Sequence, residues 1–511
     1  MIPIRLLPLG RMLDAPSGTP LQDLLFTQGV EFPCGGRGRC KGCRVRVLAG
    51  SLPVTDEDRK LLGAEDLEAG WRLSCRARVQ APLTLELAQW ETRILTDETR
   101  FDFTPRDGLG VAVDLGTTTI VAQLLDLRTG DVLGVRTALN AQARQGADIM
   151  SRIDFALAGD GQTQLQGLVR EQIGAMIGEL MTAAPPVAAD VSPLSRLTDV
   201  VLVGNTAMHH LFCGVPVQPL AHHPFEPDDD GLKVFRAEEL GWPDVAGARV
   251  HFLPCLGGFV GSDILAGILA TGLHRSERPL ALVDLGTNGE IVVGNRDRMV
   301  CASTAAGPAF EGARISMGMR AATGAISEVT VRDRRMECRV LGGVEPRGIC
   351  GSGLVDAVAA GLELGTILAS GRLAVGDELP LAGPVKLSQW DVRELQLAKG
   401  AIAAGIRLLI ERRGTRREAL ARVHLAGAFG NYISRASARR IGLIDFPVEQ
   451  VEPAGNTALR GAKMALFELP AHGGEFGGLL PRIEHVSLKD DPQFHDVYVE
   501  EMTFSGAAGG Q

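Results

Sequence analysis

The chain has no Gly-x4-Gly-Lys-Ser/Thr segment, which excludes a P-loop. It has no apolar run near the roughly 18 residues that a membrane-spanning helix needs, so no membrane partner is expected. The opening MIPIRLLPLGRMLDAPSG has too short an apolar stretch for a secretory leader and alternates as a strand does. Only nine cysteines are spread over 511 residues, an odd and thin set that argues against a disulfide framework. The expectation is a cytoplasmic protein whose reduced thiols can hold metal. Excess positive charge is also missing: the formal net charge is −9, so nothing in the composition calls for nucleic acid. A chain of this length has room for about three domains.

Against that thin background one stretch is dense in cysteine. CGGRGRCKGC, residues 34–43, spaces Cys34, Cys40 and Cys43 as Cys-x5-Cys-x2-Cys, and Cys75 follows in WRLSCRARV. Three close thiolates and a distant fourth form the ligand pattern of plant-type 2Fe–2S ferredoxins, with a first gap of five residues as in the adrenodoxin-like branch. A cluster with bridging sulfides needs several backbone N–H donors, so its loop must come close and take unusual dihedrals. Gly35, Gly36, Gly38 and Gly42 give that freedom. Zinc is the second reading, weakened because zinc knuckles usually come as two Cys-x2-Cys pairs and only one is present. Four unrelated core thiols are the third. The flanks fit a β-grasp fold, with Thr19 as a helix cap, Pro20 at the first helical position, Leu21, Leu24 and Leu25 on one face, and Gly29 as the stop. Arg37, Arg39, Lys41, Arg44 and Arg46 surround this loop with positive charge, which suits either a solvated face or an acidic partner.

Residues 88–108 are polar and aperiodic and read as a linker. Beyond them the segment Val-Asp-Leu-Gly-Thr occurs twice between apolar strands, at Asp114, Gly116, Thr117 and Thr118, and again at Asp284, Gly286, Thr287 and Asn288. A repeat at so long a distance implies two related lobes. A carboxylate at a strand end can hold Mg²⁺ through water, glycine admits a phosphate to the backbone, and Thr or Asn supplies donors. Either copy alone reads as a tight turn; two copies favour phosphate binding. Glycine-rich strand ends at Gly204-Asn205-Thr206, in CLGGFVGSDILAGIL with Asp263, in RGICGSGLVDA, and at Gly427 and Gly430 each open a helix. Such helix starts attract anions, and the whole reads as α/β. His209 and His210 project about 100° apart on one helix and cannot share a metal; the His209–Cys213 pair is read as core.

The order of these segments resembles the superfamily of acetate and sugar kinases, chaperone ATPases and actin. That resemblance places a first phosphate motif at 114–118, a connecting helix near 258–270, a second phosphate motif at 284–290, an adenosine motif at 425–431 and a returning helix near 455–467. With the cysteine loop in front, VGNTAMHHL, CLGGFVGSD, VDLGTNGE, STAAGPAFEGA, GICGSGLVDA and LAGAFGNYI resemble the reductive activators of corrinoid proteins over nearly the whole chain. The longer members of that family carry an extra domain where this chain has its short linker. The implied fold class is α/β multidomain: an N-terminal β-grasp 2Fe–2S ferredoxin domain plus a two-lobed, actin-, chaperone- and sugar-kinase-like (duplicated ribonuclease H-like) ATPase. The expected boundaries are 1–87 for the ferredoxin unit, 88–108 for the linker and 109–511 for the ATPase, with one lobe over about 109–275 and 455–500, the other over about 280–450, and a disordered tail at 505–511.

The resemblance implies an ATP-hydrolysing electron-transfer enzyme that returns an inactive Co(II) corrinoid protein of a methyltransferase system to Co(I). It implies Cys34, Cys40, Cys43 and Cys75 as cluster ligands. Asp114 and Asp284 would position Mg²⁺ and the phosphates with Gly116, Thr117, Thr118, Gly286, Thr287 and Asn288, and Gly427 and Gly430 would admit adenosine. Asp263 and Glu290 would orient the attacking water, although Asp263 equally fits a first-turn acid serving the helix dipole. An external electron donor is needed, and a homodimer stays open. Two rivals remain: an ATP-driven donor to another low-potential metalloenzyme, of the dehydratase-activator kind, and a redox-sensing chaperone-like ATPase.

Overall fold

The structure is a computed structural model. It describes residues 1–511 apart from 8–9, 27, 29, 31, 33–35, 37, 39–40, 42, 88–96, 98, 147, 184–196, 287, 313, 375, 473–475 and 506–511. Cys34, Cys40, Gly35, Gly42, Arg37, Arg39, Gly29, Thr287, the first part of the expected linker (88–96, and 98) and nearly all of the expected tail therefore lie outside the described residues.

The N-terminal unit is a five-stranded sheet in the order β2-β1-β5-β3-β4, built from β1 (Ile2–Leu7), β2 (Arg11–Ala15), β3 (Arg44–Ala49), β4 (Trp71–Leu73) and β5 (Leu83–Leu87). Ile4, Leu6, Val45, Leu85 and Leu87 alternate inward and bury the face that meets the helix Leu21–Phe26. Thr19 is not that helix's cap: its hydroxyl donates to the Pro16 carbonyl (2.8 Å), because the chain turns at Pro16 before the helix begins.

Two six-stranded sheets follow. The first runs β10-β11-β9-β6-β7-β8, from β6 (Leu109–Leu115), β7 (Thr119–Asp126), β8 (Val132–Leu139), β9 (Leu197–Gly204), β10 (Lys233–Arg236) and β11 (Arg249–Phe252). In the second, β12 (Leu280–Leu285), β13 (Gly289–Gly294) and β14 (Met299–Thr304) repeat the antiparallel meander of β6, β7 and β8. A small sheet and a hairpin come next: β15 (Ala325–Arg332), β16 (Arg335–Val340) and β17 (Gly348–Ile349), then β18 (Glu378–Ala382) and β19 (Val385–Ser388). The second large sheet is completed by β20 (Arg422–Ala426), β21 (Val451–Gly455) and β22 (Ile483–His485), in the order β21-β20-β12-β13-β14-β22. β9 lies parallel to β6 as β20 does to β12. The duplication announced by the two Val-Asp-Leu-Gly-Thr segments is thus a duplication of sheets.

The helices Ser262–Thr271 and Thr457–His472 lie between the sheets and share one core with both, through Val201 and Val121 on one side and Leu282 and Val292 on the other. They cross closely: a Cβ added at Gly461 would lie 2.1 Å from the Ala266 carbonyl oxygen. One expected boundary needs correction. Residues 483–501 were placed with the first lobe, yet β22 pairs with β14 and the helix Phe494–Glu501 packs on Gln389–Arg413 in the second. A three-residue edge strand has no periodicity to announce it. Residues 97 and 99–108 lie against the first lobe: Asp97 pairs with the buried Lys463 (2.5 Å), and Phe101 and Phe103 cluster with Phe467. No helix among the described residues is long and apolar enough to cross a membrane.

Candidate functional site

The two hairpin turns sit at equivalent strand ends. In the first, Gly116 donates its N–H to the Thr119 carbonyl (3.0 Å), and a Cβ at Gly116 would meet that oxygen at 2.6 Å. In the second, Gly286 donates to the Asn288 carbonyl (3.0 Å). Asp114 is the penultimate residue of β6 and Asp284 of β12. The hairpins differ in one respect: Asp114 faces Val121 across its pair, whereas Asp284 faces Glu290. Like charges directly opposite on antiparallel strands are unfavourable, so this pair is kept at a cost in stability.

Four carboxylates converge. Burial, opposed by a hydrogen bond from Asn456, pushes Asp114 up to about 6. Burial and then repulsion from Asp114 push Asp263 up to about 7. Burial, Asp263 and Asp114 do the same for Asp284, also to about 7. Glu290 is raised well above its usual range by burial, Asp263 and Asp284, against a hydrogen bond from Ser303 (3.2 Å). Asp263 lies in the first turn of its helix, where it accepts the Ile264 N–H (2.9 Å), and it also belongs to this group.

Gly427 closes the far side. It has φ +80°, and a Cβ there would stand 2.4 Å from Asp284 Oδ1, so only glycine fits. Gly430 is less constrained, its nearest neighbour being the Leu425 carbonyl carbon at 3.4 Å.

Three polar residues hold the first hairpin in place: Asn456 and Arg152, which the sequence analysis did not single out, and Asn205, which it named only as part of a helix start. Asn456 donates its side-chain amide to Asp114 (2.9 Å) and accepts the Leu459 N–H at the start of its helix (2.8 Å). Asn205 repeats the device, donating to the Thr117 hydroxyl (2.9 Å) and accepting the Met208 N–H (3.1 Å). Each asparagine caps a helix and turns its amide toward the same turn. A sequence signal existed: Gly-Asn-Thr-Ala occurs at 204–207 and again at 455–458. Arg152 is fully buried and donates to the Thr117 carbonyl. Burial pulls it down to about 9.

Among the described residues no three His, Cys, Asp or Glu side chains converge closely enough to hold a metal directly. His209 and His210 are buried and bond separately, to the Gly231 and Thr206 carbonyls, and burial pushes the Cys213 thiol up to about 12. A cation at the four carboxylates would be held mostly through water and phosphate, as Mg²⁺ usually is.

In the N-terminal unit, Cys43 and Cys75 lie at a hydrogen-bonded join. The Cys43 carbonyl accepts from Ser74 N–H (3.1 Å) and Ser74 Oγ (2.7 Å). Gly36 and Gly38 have φ of +74° and +66°, and a Cβ at Gly38 would lie 2.9 Å from Glu57. Left-handed, closely packed glycines at 36 and 38 fit a cluster that needs close backbone donors. Around it Arg44 stacks on Trp71 (5.3 Å) and Arg46 donates to the Ala69 carbonyl (2.8 Å), so both are engaged within the domain.

The carboxylates give a pH prediction. A carboxyl whose folded value is raised holds its proton more tightly folded than unfolded, so stability is lost as pH rises through the folded value. Asp284→Asn should therefore raise Tm over the wild type at about pH 8, without divalent cations, and do so far less at about pH 5. Thermal unfolding at both values checks this, and an equal change at both would contradict the electrostatic reading.

The duplicated sheets, facing hairpins and interposed helices, joined to a β-grasp unit, define a ferredoxin domain fused to a protein of the actin and sugar-kinase class. Residues 4–80 match the 2Fe–2S iron-sulfur cluster binding domain, 109–276 the family described as RACo middle region, and 279–508 that described as the C-terminal domain of RACo, the ASKHA domain. The expectation that only the short linker stands where longer members have an extra middle domain is corrected by the match over 109–276. The chain belongs to the family of reductive activators of corrinoid proteins. It is 36% identical over 428 residues to the corrinoid activation enzyme RamQ of Eubacterium limosum, covering 77% of this chain and 70% of that one. It is 29% identical over 428 residues to the [Co(II) methylated amine-specific corrinoid protein] reductase of Methanosarcina barkeri, covering 77% of each. A solved reductive activator for corrinoid, iron-sulfur protein superimposes over 99% of this chain and 98% of its own, with a TM-score of 0.67 and 26% identity.

Proposed function

We propose that this protein uses ATP to pass one electron from a 2Fe–2S cluster to the Co(II) corrinoid protein of a methyltransferase system, restoring Co(I). The observation that carries the ATP part is the convergence of Asp114, Asp263, Asp284 and Glu290 between two glycine turns, with Gly427 pressed against Asp284. Such a buried acidic group suits a cation bridging to phosphates. Cys34, Cys40, Cys43 and Cys75 would hold the cluster, which when bound supplies electrons one at a time. Asp114 and Asp284 would hold the water shell of Mg²⁺. Gly116, Thr117, Thr118, Gly286, Thr287 and Asn288 would present backbone and side-chain donors to the phosphates. Gly427 and Gly430 would let the adenosine approach, and Asp263 or Glu290 would orient the attacking water.

Nucleotide contacts can be tested glycine by glycine. Gly427→Ala should weaken binding of a non-hydrolysable ATP analogue at least about tenfold, because its Cβ meets Asp284 and its φ is left-handed. Gly430→Ala should stay within about threefold, since ordinary contact distances remain. Equal losses measured by calorimetry would remove Gly427 from the site.

ATP can favour an uphill electron transfer only if the protein binds partner states unequally. Binding of the Co(II) partner should therefore be tighter than binding of the methylated partner, as titration of each form against the holoprotein would show. Equal affinity for both would overturn the proposal.

A further inference from the structure

The ferredoxin unit and the first phosphate turn share one short segment. β8 ends at Leu139, and residues 140–144 form a single helical turn beneath the hairpin. On its upper side Asn140 donates its backbone N–H to the Thr118 carbonyl (2.9 Å) and its amide to the Gly116 carbonyl (3.0 Å). Gln142 accepts from Arg152 (3.2 Å), whose other nitrogen reaches the Thr117 carbonyl. All three carbonyls of the turn are thus held by Asn140 and Arg152, and Asn140, Gln142 and Arg152 are each 0% exposed. On its outer side the same segment meets the ferredoxin unit. Leu139 and Ala143 pack on that unit's core, and the Arg144 guanidinium stands 4.9 Å over the ring of Phe26. Phe26 ends the helix whose Gln22 abuts Gly36 of the cysteine loop.

We propose that residues 139–144 couple the seat of the ferredoxin unit to the phosphate turn, so that the docked unit favours nucleotide binding and bound nucleotide holds the unit in its seat. Asn140 and Arg152 act as positioning residues, since they fix the carbonyls and hence the direction of the turn's N–H groups. A second contact makes the seat sensitive to both lobes: Glu86 of the ferredoxin unit pairs with Arg347, beside β17 of the second lobe. The inference rests on nucleotide binding at the two hairpins. Coupling is reciprocal by linkage, so the factor by which docking tightens nucleotide is the factor by which nucleotide tightens docking. Hydrolysis and phosphate loss would then loosen the seat and release the ferredoxin unit toward its electron acceptor.

The test uses the full-length holoprotein, with its cluster, and Mg²⁺ with a non-hydrolysable ATP analogue. Arg144 is exposed, so Arg144→Ala removes the stacking without disturbing the lobe core. Ala143→Asp, which places a charge in the apolar seat, is the second variant. Each should bind the analogue at least about fivefold more weakly, the lower end of ordinary coupling. Amide exchange separates coupling from general damage: the analogue should slow exchange over residues 20–26 in the wild type and not in the variants. Wild-type binding with unchanged or tighter binding by both variants would overturn the coupling and leave the nucleotide site standing. No binding by the wild type would overturn both.

Discussion

Replacing Asp284 by alanine is expected to lower Mg²⁺-dependent ATP hydrolysis at least about a hundredfold while leaving the iron content unchanged. A hundredfold is about 2.7 kcal/mol of transition-state stabilisation, modest for a group that positions a catalytic cation. Asp284 stands opposite Glu290 and against Gly427, and it raises the proton affinity of Glu290. Its removal therefore acts on Glu290 across the strand pair and on the seat of Gly427 together. Asp114→Ala should act alike, because Asn456 holds that carboxylate at the first hairpin. The ferredoxin sheet is built from β1–β5 alone, so neither change reaches Cys43 or Cys75. Wild-type hydrolysis in either variant would reduce the hairpins to turns between core strands. Asp284 is also a residue that function keeps against stability: the neutral Asp284→Asn should melt higher and work less.

The second large effect concerns the cluster. Cys75→Ser should yield a colourless protein that has lost its iron and transfers electrons at background rate, yet still binds nucleotide. A serine hydroxyl is a poor replacement for a thiolate ligand to iron. Ser74 would still tie the Cys43 carbonyl, so the domain keeps its shape while losing a ligand. Anaerobically isolated wild type should carry two iron and two sulfide per chain, as a 2Fe–2S domain requires. Stoichiometric zinc in a colourless wild type would contradict this assignment.

What could be read from the sequence was whatever recurs at fixed spacing. The cysteine pattern led to the ferredoxin reading, and the doubled Val-Asp-Leu-Gly-Thr led to two sheets and two facing acids. Asp263 and Glu290 were reachable only through the resemblance to the chaperone ATPases, since Asp263 by itself reads as a first-turn acid. Residues that act on the site from a distance in sequence were not visible. Asn456 reaches Asp114 across 342 positions, and only the tertiary fold makes that contact. Arg152 and Asn140 belong to no sequence motif; their role depends on burial, which one sequence does not show. The β22 edge strand failed for another reason. Its three residues are chosen by an open edge of β14, not by any pattern of their own.

The central claim is that ATP makes the cobalt reducible by an electron that alone could not reduce it. For one electron, each tenfold in equilibrium is about 59 mV, so a gap of roughly 200 mV corresponds to about 4–5 kcal/mol. Nucleotide binding or hydrolysis can offset that only through lobes that favour one partner state over another. The most direct measurement is the Co(I) yield of a Co(II) corrinoid protein under anaerobic conditions, at fixed reductant potential no lower than that of the cluster. With wild-type protein the yield should rise with MgATP, and with Asp284→Ala it should not. An equal yield without nucleotide would contradict the account.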